Sequence, residues 1–381
     1  MMILLDATPL ALTGFLKGGM FRYCVELARH LPAVLPPEGG LKLYFNFFQA
    51  RHKARMEEAL QRTGNPGFVL SRLHPRLLEL LHAPVEWTAG AHDLFHGPFD
   101  RLRPTRRSAR VVTIHDLAFL RAPGGLPPAM VAELERVVPR AVKSAHRILT
   151  VSEYSRRDLI ARLGVDPERV EAIPHGVGPE YRPPADPGAD GARLRDRYGI
   201  QPGYLLYLGT LQPNKNLERL CQAFQRLRGR GFAGQLVLAG ARGWLFDPMW
   251  ERIASRGDDQ GVLLPGFVSE EDIPRLYGNA RAFVLVSLLE GFGIPVLEAM
   301  ACGAPVVAAR ACSLPEVAGE AAVLVDPSDP EAIAAGIETA LEPGGRSSRI
   351  EQGLRRAAGF RWEETARRHV AAYLRAREAA A

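Results

Sequence analysis

Short unbroken apolar runs alternate along this chain with longer stretches whose apolar positions recur at helical spacing. In the first half the runs Ile3–Asp6, Leu41–Phe47, Leu94–Gly97, Val111–His115 and Ile148–Ser152 predict strands. Met20–Leu31, Arg51–Arg62, Pro128–Lys143 and Tyr154–Leu163 predict helices. The second half repeats the pattern, with strands at Tyr204–Leu208, Leu236–Ala239, Val262–Leu264, Ala282–Val286, Val306–Ala308 and Val323–Val325. Helices are expected at Leu217–Arg228, Pro248–Arg256, Glu270–Asn279, Pro295–Ala301 and Pro330–Leu341, and a closing helical run from Trp362 to Ala379. Strands that alternate with helices imply βα units around parallel sheets. Between Tyr181 and Gly191 proline and glycine are dense enough to break either element. The expectation is an α/β chain with two doubly wound parallel-sheet domains, residues 1–182 and 201–358, joined by a linker at 183–200. Residues 359–381 form a terminal helix that can cross back to the first domain. Ligands of such sheets bind outside the carboxyl ends of the strands.

A length of 381 residues supports two domains of ordinary size. No stretch reaches the ~20 apolar residues of a membrane span. The opening residues Met1–Asp6 read as a strand and lack the basic start and cleavage site of a signal peptide. A cytoplasmic protein is therefore expected. Cys24, Cys221, Cys302 and Cys312 follow no metal-ligand spacing and read as reduced thiols. The net charge of +6 lies wholly in residues 1–180, where 24 Lys/Arg face 18 Asp/Glu. That asymmetry points to something anionic, a pyrophosphate or a membrane surface. No nucleic-acid-binding module is present, so nucleic acid is not an expected partner.

The densest candidate chemistry begins at Ser287. A buried strand ends there, a turn with Gly291 and Gly293 follows, and Pro295 then sits in a first helical turn. A glycine turn feeding a helix start presents backbone N–H groups and a positive dipole end to an anion. Glu290 and Glu298 flank the turn, and carboxylates accept hydrogen bonds from vicinal sugar hydroxyls. In the first half Gly18 and Gly19 precede a helix that carries Arg22, a second place where an anion can approach. Val111–His115 ends in His115 and Asp116; Asp116 also suits a cap on the next turn. His115, and His175 in its Pro-His-Gly-Val turn, read either as ligands or as hydrogen-bonded structural imidazoles.

The run Glu290-Gly291-Phe292-Gly293 with Glu298 resembles the signature of glycosyltransferase family 4, retaining nucleotide-sugar transferases of the GT-B fold. Tyr207-Leu208-Gly209-Thr210, Asn214-Lys215-Asn216-Leu217, Leu264–Val268, Ser313–Val317 and Asp326-Pro327 match the same family in order, as do Val151–Ser155 and Ile173–Val177. The resemblance covers most of residues 110–370 and is poor over 30–100. It implies two Rossmann-like domains facing across a cleft, an acceptor-binding one first and a donor-binding one second. It implies that Glu298 binds the donor ribose, that Glu290 and His115 contact the transferred sugar, and that Lys215 neutralises the leaving pyrophosphate. Thr210 and the backbone of Gly291, Phe292, Gly293 and Ile294 would line the donor site, with Gly18 and Gly19 near its phosphates. Many relatives carry an arginine where this chain has Thr210 or Asn214, so Lys215 acts alone or with an arginine from elsewhere.

No Asp-x-Asp triplet occurs, which fits the family's metal-independent habit; no cofactor and no metal are expected beyond the nucleotide-sugar co-substrate. The resemblance favours GDP-mannose or a related donor, a sugar or lipid-linked acceptor, and cell-surface polysaccharide synthesis. Basic and apolar residues mix over Arg51–Arg62 and Arg72–His82, and Arg101–Arg110 adds five arginines. These stretches read either as a patch on an anionic membrane, at its inner face, or as solvated surface. Two other readings stay open. One is a nucleotide-sugar epimerase or sugar-phosphate synthase on the same architecture; the other is an inactive donor-binding partner subunit.

Overall fold

A computed structural model of the protein describes residues 1–12 and 18–381. The chain divides into two compact units. The first comprises Met1–Leu120, Ala129–Gly176 and Arg361–Ala381; the second comprises Arg121–Pro128 and Val177–Phe360.

The first unit holds a seven-stranded parallel sheet, β1 (Met2–Asp6), β2 (Gly40–Asn46), β3 (Gly67–Ser71), β4 (Leu94–Gly97), β5 (Ala109–Ile114), β6 (Arg147–Thr150) and β7 (Val170–Ala172), in the order 3-2-1-4-5-6-7. The second holds a six-stranded sheet, β8 (Leu205–Leu208), β9 (Leu236–Ala239), β10 (Val262–Gly266), β11 (Ala282–Leu285), β12 (Val306–Ala309) and β13 (Ala322–Val325), in the order 10-9-8-11-12-13. All strand pairs in both sheets are parallel. The two orders are the same winding used twice. In each, the order reverses beside the unit's first strand, between β1 and β4 and between β8 and β11.

Two strands lie outside the sequence expectation, β3 and β7, and each is an edge strand. β3 opens on exposed Gly67 and Phe68, and β7 is only Val-Glu-Ala, so neither shows the buried apolar run of the central strands. Residues 183–200 are not an irregular linker. Pro187–Tyr198 form a helix whose cap is Asp186, its carboxylate accepting from the Ala189 N–H at 3.0 Å. Proline in the first turn costs no hydrogen bond, and Gly199 at φ 71° closes the other end. Arg193 and Arg197 then reach the fully buried Asp272 at 2.6 and 2.7 Å. The same allowance for an early proline starts a further helix, Pro343–Ala358.

The terminal helix Trp362–Glu378 belongs to the first unit and packs on the helix Gly19–Val34. Trp362, Ala366, Ala372, Tyr373 and Ala376 share one core with Ile3, Leu5, Phe45 and Leu149. Gly176 lies so close to this helix's start that a Cβ there would stand 2.2 Å from the Trp362 nitrogen.

A row of buried polar groups crosses the same interior, and its proton positions follow from one anchor. His369 Nδ1 lies 2.7 Å from the Thr365 carbonyl, which only accepts, so Nδ1 carries the proton and Nε2 accepts. Tyr23 then donates to His369 Nε2 at 2.8 Å and accepts from the Thr113 hydroxyl at 2.8 Å. Thr113 accepts from His96 Nε2, leaving His96 Nδ1 to accept from Tyr373, again at 2.8 Å each. Every donor meets one acceptor only while both imidazoles are neutral. Burial pushes His369 down to about 4 and His96 well below the usual histidine value.

His115 and His175 are lowered by burial as well. In all four histidines the unfolded chain binds the proton first, so their contribution is whole above pH ~6.5 and declines toward pH ~4. Asp100, lifted to about 7 by burial, binds its proton first in the folded state and opposes them. His146 is lowered by burial too, so the histidines outweigh Asp100 and net destabilisation is expected as the pH falls across that window. Denaturant titrations between about pH 7.5 and about pH 4.5 check this, and His369→Gln should shallow the slope by about one proton. A slope unchanged by that substitution would refute it.

Candidate functional site

The strongest cluster stands where the second sheet reverses its order. β8 runs into the loop Gly209–Asn216, and β11 runs into Val286–Gly293. The Leu288 N–H donates to the Asn214 carbonyl at 2.9 Å, which ties the two loops side by side. Asn216 tightens the join. It adopts φ 61°, a left-handed conformation that asparagine tolerates, and starts the helix Leu217–Gly229. Its amide donates to the Val286 and Pro327 carbonyls at 3.0 and 2.7 Å.

From this join Lys215 Nζ reaches Glu290 Oε1 at 2.7 Å. The same oxygen accepts from Ser287 Oγ at 2.8 Å. Both charged side chains are largely covered yet still reach solvent, at 17% and 14% exposure. Glu290 Oε2 and two of the three Lys215 N–H groups form no hydrogen bond among the described residues. The site thus offers donors and an acceptor side by side.

The turn after Glu290 is rigid. Ser313, fully buried, places its hydroxyl 2.9 Å from the Glu290 carbonyl and 3.0 Å from the Phe292 carbonyl. Gly293 adopts φ 98° and precedes the helix Ile294–Ala301; a Cβ there would meet Leu314 at 2.6 Å. The Phe292 ring packs on Phe360, so this residue offers its backbone rather than its ring. Thr210 is half-buried, its carbonyl accepting from the Tyr207 hydroxyl at 3.0 Å.

Glu298 has a partner of its own. It lies inside the helix Ile294–Ala301, 2% exposed, with Oε2 accepting from the Tyr277 hydroxyl at 2.9 Å. The two glutamates that flank the turn thus have different partners and different exposure.

Within the first unit, Gly18 and Gly19 are exposed at the start of the helix Gly19–Val34, and the space a Gly18 Cβ would fill is empty. His115 follows β5. Its N–H donates to Asp100 at 2.9 Å and its Nε2 donates to the Pro98 carbonyl at 2.9 Å, which fixes the tautomer. Burial holds it neutral, at about 4. Its ring meets Tyr23 edge-on at 5.1 Å and His175 at 6.2 Å. His175 in turn packs on Trp362 at 5.6 Å. Asp116 accepts from the Ala118 N–H at 2.9 Å, an Asx-type turn. Ser287, Ser313, Asn216 and Tyr277 were not singled out for the site by sequence reasoning. Ser313 lies in the matched run Ser313–Val317, and Asn216 directly follows Lys215, which were the available signals.

Residues 17–181 match the glycosyltransferase family 4 family, and residues 193–356 match the glycosyl transferases group 1 family. The chain is 34% identical over 368 residues to the O-antigen chain mannosyltransferase B of Escherichia coli, covering 93% of this chain and 95% of that protein. This protein is a family 4, group 1 glycosyltransferase. It is also 32% identical to a D-inositol 3-phosphate glycosyltransferase of Salinispora arenicola, over 75% of this chain and 69% of that one. Among solved structures, Anabaena HepE in complex with UDP and glucose superposes with a TM-score of 0.72 at 20% identity, 98% of each chain covered. A sucrose-phosphate synthase of Thermosynechococcus elongatus gives 0.72 at 19% identity with the same coverage. These likenesses place the fold of the glycosyltransferase in the GT-B class.

The bracing of the lysine loop generates a prediction. Asn216→Asp sets a carboxylate oxygen against two carbonyls that now receive N–H groups. A loss of about 2 kcal/mol or more in unfolding free energy is expected, measured by chemical denaturation, with weaker nucleotide binding by calorimetry. Ser287→Ala, which leaves the loops joined, should cost about 1 kcal/mol or less.

Proposed function

We propose that this glycosyltransferase moves mannose from GDP-mannose to a hydroxyl of a saccharide acceptor, free or lipid-linked, in cell-surface polysaccharide synthesis. The reading draws its sugar from the 34% identity with an O-antigen chain mannosyltransferase along nearly the whole chain. It draws its chemistry from one observation: Lys215 and Glu290 stand together at the reversal point of the second sheet with uncommitted N–H groups and an uncommitted carboxylate oxygen.

In this proposal the two spare N–H groups of Lys215 take diphosphate oxygens. The charge that develops there as the glycosidic bond breaks is met by a fixed cation, with no metal ion required. Glu290 Oε2 accepts from a hydroxyl of the transferred sugar while Oε1 keeps Lys215 and Ser287 in place. The backbone from Gly291 to Ile294, ahead of a helix start, takes sugar and phosphate oxygens, with Thr210 beside them. Glu298 is assigned to the ribose. Gly18 and Gly19 are assigned to the donor phosphates, and neutral His115 to the transferred sugar. The acceptor oxygen attacks on the face that the nucleotide leaves and its proton passes to the departing phosphate, so the configuration is retained.

A panel of GDP-mannose, UDP-glucose and dTDP-glucose, read by thermal stabilisation and by transfer to a mannosyl acceptor, tests the donor. GDP-mannose should stabilise most, and a panel led by a uridine donor would overturn the assignment. Lys215→Ala should lower kcat by about 10²–10³-fold and keep the fold. The one-bond carbon–proton coupling at the new anomeric centre reads retention, and unchanged rates in EDTA read metal independence. Donor consumption without an external acceptor would point to an epimerase; donor binding without any transfer would point to an inactive partner.

A further inference from the structure

Seven of the eleven large apolar side chains that stand exposed in the described residues fall between Phe48 and Trp87. Leu80 is 77% exposed, Phe48 67% and Trp87 57%, with Phe68, Leu77 and Leu81 close behind. They gather along one margin of the first unit. Phe68 lies on β3, the edge strand, and the chain leaves β3 directly into Arg72–Leu81. The Phe48 ring lies 6.1 Å from His74, and the short helix that carries Trp87 packs against β3. An apolar margin on an edge strand is a surface that needs a cover.

The charges around it select the cover. Residues 48–107 carry ten Lys/Arg and six Asp/Glu. The acidic groups are largely spent inside the unit: Glu57 pairs with Lys53, Glu58 with Arg62, and Glu86 accepts from the Arg106 and Arg107 N–H groups. Exposed Arg51, Arg72 and Arg107 form no ion pair among the described residues. Arg106 lies over the Trp87 ring at 5.5 Å, an aromatic and a cation presented together. A second copy of this chain would bring like charges face to face. Anionic headgroups above acyl chains complement both features at once. No helix of the described residues is long and apolar enough to cross a membrane, so the contact would be at the surface.

We propose that the β3 margin, with Phe48, Leu77, Leu80, Leu81 and Trp87 as its apolar anchors and Arg72, Arg106 and Arg107 as its cations, docks on an anionic lipid bilayer. None of these side chains belongs to the Lys215–Glu290 site, so lipid docking and sugar transfer stand or fall separately.

Flotation of the full chain with vesicles tests the docking. Binding to phosphatidylcholine–phosphatidylglycerol vesicles should exceed binding to phosphatidylcholine alone by at least about tenfold and fall with added salt. Leu80→Glu with Leu81→Glu should abolish it while leaving the thermal midpoint unchanged, since both side chains already face solvent. Arg72→Glu with Arg107→Glu should abolish the preference for the anionic lipid. Equal flotation with both vesicles, or none, overturns the proposal. So does a dimer by light scattering that the leucine substitutions dissociate, which would make the cover a second copy.

Discussion

An ammonium and a carboxylate held 2.7 Å apart at the point where a parallel sheet reverses its strand order are what the second unit is built around. Neither residue can be placed by its own loop. Lys215 follows β8 and Glu290 follows β11, and the two strands are neighbours only because the winding turns back between them. Asn216 and the Leu288 N–H stitch the loops, Ser287 holds the shared oxygen, and Ser313 fixes the turn beyond it. The result is a charge pair whose partners are positioned before any ligand arrives. Preorganised charge of this kind costs no rearrangement when an anion binds, which is why the proposed function places the diphosphate there.

The first unit repeats the winding and uses its interior differently. Its polar groups are drawn inward into a single ordered row from Tyr373 to the Thr365 carbonyl, and every hydroxyl in that row has one direction. Such a row specifies a unique packing, because any proton out of place sets two donors against each other in a low-dielectric interior. His115 and His175 sit beside it, held neutral by the same burial. A neutral imidazole with a fixed tautomer contributes shape and dipole rather than charge.

What the sequence revealed was whatever is written locally. Central strands are apolar runs and were legible to within a residue or two, as with β4 and β9. The turn at Glu290–Gly293 was legible because glycine, proline and carboxylate fall within one short segment. The strands β3 and β7 were not, since β3 begins on exposed Gly67 and Phe68 and β7 is three residues with Glu171 at its centre, whereas the edge strands β10 and β13 keep apolar runs and were legible. The helix Pro187–Tyr198 was hidden by its own starting residues, which read as breakers until Asp186 is seen to cap it. The braces of the site were hidden for a different reason. Asn216 bonds to Pro327, 111 positions away, and Tyr277 reaches Glu298 across 21. Only the fold brings such partners together. Glu298 was legible as part of the glycine turn and its helix, but its burial and its bond from Tyr277 were not, because spacing along the chain carries no sign of either.

The docking of Trp362–Glu378 into the first unit has a consequence for how this chain comes into being. A ribosome threads the first unit's sheet out early, yet the strip that seals its interior leaves the exit tunnel only after the whole second unit has been made. His96, Tyr23 and Thr113 must wait, unsealed, through the synthesis of everything between. The second unit, encoded later, can finish first. Birth order and completion order are thus reversed, and a chain cut short before Trp362 would carry every segment of the second unit while lacking the strip that completes the core of the first.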